Sequence, residues 1–260
     1  MHLPAPQLPP DTPSQRTSDR RRLLRALNAS LAFVLVLVAV FSAQDAFDVA
    51  AWAVQPKTLA GLRGLLTAPL LHGSLEHLAA NAISLLLLGT LAGSAYPRAT
   101  ARALPLLWLG SGLGAWLLGE AGSYHLGASG LTHGLMFLVF TLGLLRRDRP
   151  SIAAAMIAFF LYGGMLLTVL PREAGVSWQA HLGGAVAGVI AAWLFRRSDP
   201  LPPRKKYSWE IEEELAAQEA QRERDELELA SPHEVRVLWH RPEPRNDRGV
   251  VLQFPERRDS

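Results

Sequence analysis

The chain has 260 residues, 49% of them hydrophobic, with mean hydropathy +0.14 and no cysteine. That is too apolar for an ordinary soluble domain and too polar for a chain lying wholly in a bilayer, so the apolar residues must be concentrated in one region. A disulfide framework and thiolate metal sites are excluded, and the net charge of +3 sums basic loops and an acidic tail with no basic–aromatic stripe, so no nucleic-acid partner is implied.

Residues 1–22 form an N-terminal tail in which repeated Pro mixes with Gln, Ser and Thr, a composition that predicts disorder. From there to residue 198 the chain reads as an all-α membrane domain with six transmembrane helices. The predicted spans run from Leu27 to Ala43, Leu71 to Tyr96, Ala103 to Leu118, Leu126 to Leu145, Ser151 to Leu170 and Val176 to Phe195, close to the roughly 20 residues that cross a bilayer. Residues 199–260 form a C-terminal tail. It opens on a Pro-rich linker, continues as a charged helix over 208–230 that Pro232 halts, and ends with two strand-like runs, VRVLW and GVVLQF.

Basic residues near span ends are retained in the cytoplasm. Fourteen Lys and Arg flank the spans on one side, including Arg20, Arg98, Arg146 and Arg196; only Lys57, Arg63 and Arg172 lie on the other. Both termini are therefore expected in the cytoplasm. Reading the first apolar run as a cleaved signal peptide would leave an odd number of spans and violate this charge rule.

Polar groups in hydrocarbon are costly and mark functional sites. Three clusters stand near span ends: His72, His77 and Asn81 in LLHGSLEHLAAN, Ser129 in GASG, and His181 in AHLGGAVAG. The second, fourth and sixth spans all start on the non-cytoplasmic side, which puts these groups at similar depth. A serine hydroxyl becomes a nucleophile when a base lies about 2.6–3.2 Å away, and Ser129 with His181 meets the compositional requirement. Small residues four apart let helices approach closely enough for short side chains to meet; Gly130 with Gly134 follows the serine, and Gly184 with Gly188 follows the histidine. His77 and Asn81, four apart, share a helix face from which both can point at one oxyanion, and the Ser129 N–H is a further donor. His72, five residues before His77, is expected to point away and tie the helix start to the preceding loop. His125 reads as a loop residue.

These clusters, in this order, resemble the rhomboid intramembrane serine proteases: H-x4-H-x3-N in the second span, G-x-S-G opening the fourth and A-H-x-G-G-x3-G in the sixth, over roughly residues 23–198. The resemblance implies a six-helix rhomboid bundle and a Ser–His dyad with no acidic third member, in which Ser129 is the nucleophile and His181 the general base. It places His77 and Asn81 in the oxyanion hole, with His72, His133, Gly127 and Gly130 supporting the site. It also implies a water-accessible cavity, transmembrane protein substrates cleaved near the outer leaflet, a lipid bilayer as surroundings, and no metal or cofactor. The expected location is the bacterial inner membrane; oligomeric state is not legible. Two positions depart from the family pattern. Arg63–Gly64 stands where Trp-Arg is frequent, and His133 stands where a Tyr commonly packs against the catalytic histidine. The SG-x2-HG run also resembles the rhombosortase branch, which processes C-terminal anchors. An inactive rhomboid-like scaffold is the other alternative, although such proteins tend to lack the Ser or His. A metal or proton-coupled transporter would need carboxylates deep within its spans.

Overall fold

A computed structural model of the protein describes residues 13–171, 175–200 and 208–227. It divides into two compact units, Met1–Tyr207 and Ser208–Ser260. Among the described residues all regular structure is helical, apart from one isolated β-bridge between Val54 and His125. The long helices of the first unit are α1 (Pro13–Ala43), α2 (Leu75–Ala95), α3 (Pro97–Leu118), α4 (Ser129–Arg146), α5 (Arg149–Tyr162) and α6 (Trp178–Phe195). Five of them, all but α5, are long and apolar enough to cross a membrane.

Local signals set the helix ends. Ser74 is extended and its Oγ accepts the His77 N–H at 3.2 Å, capping α2. Asp148 does the same for α5, accepting from the Ser151 N–H at 3.0 Å, with proline in the first turn behind it. Arg147, left-handed at φ 57°, ends α4.

Several boundaries differ from the sequence reading: α2 begins at Leu75 in place of Leu71, α3 at Pro97 in place of Ala103 and α6 at Trp178 in place of Val176, and three further departures have a local cause. Helix α1 begins at Pro13, inside the stretch read as a disordered tail, because after that proline nothing in SQRTSDRRRLLR breaks a helix. Helix α4 begins at Ser129, three residues later than Leu126, because Gly127 holds φ +114° and keeps the preceding loop out of helix. The expected fifth span is broken. Its 14-residue helix α5 is only about 21 Å long, the chain turns at Gly163–Gly164, and a one-turn helix, Met165–Thr168, follows. Both glycines keep right-handed helical dihedrals, but the bonds tighten there from i−4 to i−3, Leu166 and Leu167 N–H reaching the Gly163 and Gly164 carbonyls at 3.0 Å.

Helices α4 and α6 are the most enclosed of the spans. Their glycines face one another: a Cβ on Gly184 would collide with the Gly130 carbonyl, and one on Gly134 would stand 3.1 Å from the Gly184 oxygen. Gly110 and Gly114 of α3 meet Gly183 on the other side of α6, and Gly89 and Gly93 of α2 meet Ser30 and Ala26 of α1. Each small-residue pair read from the sequence thus lies at a helix contact. In the second unit, α7 (Ser208–Leu227) carries an i,i+4 bond from Gln221 to Asp225 at 2.9 Å. The strand-like runs at 235–239 and 249–254 lie outside the described residues.

At the end of the bundle away from Ser129, the chain leaving α6 clasps two other helices. The Asp199 carboxylate, 6% exposed, accepts the Arg98 and Ala99 N–H groups at 3.0 and 2.9 Å, capping α3 from a hundred residues away. Arg146 donates to the Arg196 and Asp199 carbonyls, pairs with Asp148 at 3.3 Å and lies over the Tyr96 ring. Loss of a cap of this kind costs about 0.5–2 kcal/mol. Asp199→Ala is therefore expected to lower the apparent thermal unfolding midpoint by several degrees, at about 2–4 °C per kcal/mol.

Candidate functional site

Ser129 occupies the first position of α4, and His181 the first turn of α6, one turn shallower than the sequence placed it. Because the glycine faces bring the two helices into contact, the short side chains meet: His181 Nε2 and Ser129 Oγ are 2.9 Å apart. His181 Nδ1 lies 3.0 Å from the carbonyl oxygen of Thr168. A carbonyl only accepts, so Nδ1 carries the proton and Nε2 is left as an acceptor for the serine hydroxyl. The imidazole is held in the tautomer that general-base chemistry requires.

His133 lies one turn beyond Ser129 on the same face. Its ring stacks on that of His181, centroids 3.9 Å apart and planes 11° from parallel. Its Nδ1 donates to the Ser129 carbonyl at 2.7 Å, and a neutral ring then accepts from the Thr168 hydroxyl at Nε2, 2.8 Å away, in competition with the Met165 carbonyl at 3.1 Å. His133 thus packs its ring on His181 and hydrogen-bonds as well. Thr168 thus contacts both histidines, its carbonyl orienting one and its hydroxyl the other.

His77 and Asn81 line the same cavity as Ser129 and His181, a space of about 1140 Å³ that also reaches Gln179 and Trp178. Asn81 is buried, and its Nδ2 has no hydrogen-bond partner, so one donor is free. Gly127 lets the loop before Ser129 lie against His77: a Cβ there would stand 2.7 Å from His77 Nε2. The Ser129 N–H opens a helix, where the first N–H groups have no intrahelical acceptor. Gly130 lies against Ser111 and the Ala180 carbonyl, at the α4–α6 contact. Among the described residues, no group of three His, Asp or Glu side chains is placed to hold a metal ion.

His72 corrects one expectation. It precedes α2 in extended chain, so helical spacing does not apply to it, and its ring faces His77 edge-on at 5.1 Å instead of pointing away. Its main chain makes the anchoring contact, exchanging bonds of 2.9 and 2.7 Å with the Gln44 amide just after α1. In the α1–α2 connection, Arg63 lies over the Trp52 ring at 5.7 Å and Gly64 packs against the Ala53 backbone.

Sequence reasoning missed Thr168, Gln44 and the cluster of Ser123, His125 and Ser177 lining the cavity. None lies in a motif. His125 flanks the serine loop, and burial holds its pKa below the ordinary histidine value.

Five membrane-length helices around a polar cavity, with a serine hydroxyl bonded to a tautomer-fixed histidine inside it, mark an integral membrane protein. Residues 60–198 match the Rhomboid domain, and the chain belongs to the rhomboid family. It is similar to uncharacterized proteins of Mycobacterium bovis and Mycobacterium tuberculosis, each 41% identical over 199 residues, covering 71% of this chain and 81% of theirs. An uncharacterized protein of Mycobacterium leprae is 41% identical over 141 residues, covering 51% of this chain and 56% of its own.

Burial, with His77 beside it, holds the His72 pKa at about 4, the Leu70 carbonyl opposing more weakly. The unfolded chain takes up this proton first, so stability should fall as pH drops from about 6.5 to 4, by up to about 3 kcal/mol from this one group. His72→Gln should flatten the pH dependence of the unfolding midpoint across that window; a slope unchanged from wild type would exclude His72 as its source.

Proposed function

We propose that the protein is an intramembrane serine endopeptidase that cleaves transmembrane segments of other proteins near the outer leaflet. The observation that carries this reading is the 2.9 Å contact of Ser129 Oγ with a His181 ring whose other nitrogen is held by the Thr168 carbonyl. Membership of a family whose members are generally intramembrane serine proteases supports it.

In this reading the Ser129 hydroxyl gives its proton to His181 Nε2 as Oγ attacks the scissile carbonyl. The resulting oxyanion accepts hydrogen bonds from His77, Asn81 Nδ2 and the Ser129 N–H, donors typically worth 100- to 1000-fold each in rate. Collapse of the tetrahedral intermediate breaks the C–N bond, and His181 passes its proton to the leaving amine. Water entering the cavity then attacks the acyl ester, His181 taking its proton and returning it to Ser129 as the second product leaves.

Six crossings with both termini in the cytoplasm accompany this reading. The broken segment from α5 through Thr168 then serves as the sixth crossing, and the fourteen-to-three distribution of basic residues supports the orientation. The cavity would open toward the non-cytoplasmic side.

The test is covalent labelling by a fluorophosphonate together with cleavage of a reporter transmembrane segment in proteoliposomes. Wild type is expected to label and cleave, with both signals lost in Ser129→Ala and His181→Ala. Cleavage that survives in Ser129→Ala would refute the assignment, and a wild type that neither labels nor cleaves would favour the scaffold reading.

His133 provides a graded check. His133→Ala loses the ring stack and two hydrogen bonds and should slow labelling about 10- to 100-fold, whereas His133→Tyr keeps an aromatic face on His181 and should stay within about 3-fold. Equal rates in the two variants would show that the stacked ring contributes nothing.

A further inference from the structure

The cluster of Ser123, His125 and Ser177 lines the same cavity as Ser129 and His181, and the mechanism above leaves it unused. Its hydrogen bonds form one directed chain. Ser123 Oγ donates to the Glu120 carbonyl at 2.7 Å, so it accepts from His125 Nε2 at 2.9 Å. Nε2 then carries the ring proton, and Nδ1 accepts from the Ser177 hydroxyl at 2.6 Å. Every polar atom in this chain is satisfied by a neutral histidine, and Ser123 has no proton left to act as a nucleophile.

The three residues join the two segments that must be aligned. His125 lies four residues before Ser129, and Ser177 four before His181. Ser177 stands at the N-cap of α6, where a serine ordinarily turns its hydroxyl to the helix N–H groups. Here it makes no cap bond, and its hydroxyl is committed to His125, while its carbonyl accepts the His181 N–H at 3.2 Å. The His125 backbone is itself fixed, pairing with Val54 in both directions at 2.9 and 3.0 Å. Two residues on, the Gly127 N–H bonds the Ala68 carbonyl at 2.8 Å. Gly119 leaves room for the ring: a Cβ there would lie 2.7 Å from His125 Nε2.

We infer that His125 is a positioning residue, which fastens the loop leading into Ser129 to the turn leading into His181 through Ser177 and so sets the registration of the two. The inference rests on the protease reading above. Its distinguishing feature is the use of Nδ1, which faces Ser177, and not of Nε2, which faces Ser123.

The full-length protein in detergent is compared by its rate of Ser129 labelling with a small fluorophosphonate, and by kcat and KM on a transmembrane reporter. His125→Ala and Ser177→Ala should each slow labelling and lower kcat about 10-fold, within the range set by small misplacements of reacting groups, with KM within about two-fold. The double variant should be no slower than either single one, because both remove the same contact. His125→Asn, whose Oδ1 takes the place of Nδ1, should recover most of the rate; His125→Gln, which reaches only Ser123, should not. Wild-type rates in Ser177→Ala, additive losses in the double variant, or Asn as slow as Ala would each overturn the inference while leaving the protease reading intact. Absence of Ser129-dependent labelling in the wild type would overturn both.

Discussion

A serine and a histidine on separate helices exchange a hydrogen bond only where the helix backbones nearly touch, and everything at this site depends on that approach between α4 and α6. In a bilayer the approach has no hydrophobic driving force, since lipid tails are as apolar as the side chains that would be buried. It rests on surface shape. Gly130 and Gly134 present bare backbone to Gly184 and Gly188, and α3 closes on the far side of α6 through Gly110 and Gly114. The gain is many small dispersion contacts, each lost if one Cβ pushes the helices apart.

Close packing raises the cost of every polar atom trapped within it. Those in direct contact with the Ser129–His181 pair are hydrogen-bonded. The Ser129 carbonyl accepts from both Thr132 and His133, and the Thr168 carbonyl accepts from His181. Asn81 Nδ2, both ring nitrogens of His72 and Gln179 Oε1 have no partner, and Asn81 lines the cavity in which the proposed chemistry would develop a negative oxygen. A buried group with no partner in the resting protein is what a transition-state contact looks like before substrate arrives.

Much of this was legible in the sequence. Membrane spans announce themselves by composition, and Gly130, Gly134, Gly184 and Gly188 by spacing, so five apolar helices and the meeting of Ser129 with His181 were within reach. What composition does not encode is where an apolar run stops being helical. Gly163–Gly164 sits in a stretch as hydrophobic as its neighbours, and hydropathy alone carries the fifth span through it. Just beyond it, the carbonyl and hydroxyl of Thr168 lie against His181 and His133, 13 and 35 residues away in sequence. Likewise, the ring of His72 turned toward His77 because extended backbone, unlike a helix, fixes no angle between residues five apart. Gln44 and Ser177 carry no motif and owe their roles to folded proximity alone.

The Thr168 carbonyl also bears on why this site has no acidic third member. A carboxylate on His181 Nδ1 would fix the tautomer and stabilise the imidazolium formed during proton transfer, but between membrane helices its own desolvation would cost several kcal/mol. A main-chain carbonyl fixes the same tautomer with a dipole in place of a full charge, and its desolvation is largely met by the hydrogen bond it accepts. What it forgoes is charge stabilisation of the imidazolium. In the proposed mechanism that deficit falls on the oxyanion donors and on the alignment of Ser129 with His181. The surroundings are built for alignment: a stacked ring on one face of His181, a carbonyl at one nitrogen, a serine at the other, and a helix start tied through Ser177 to the serine's own loop.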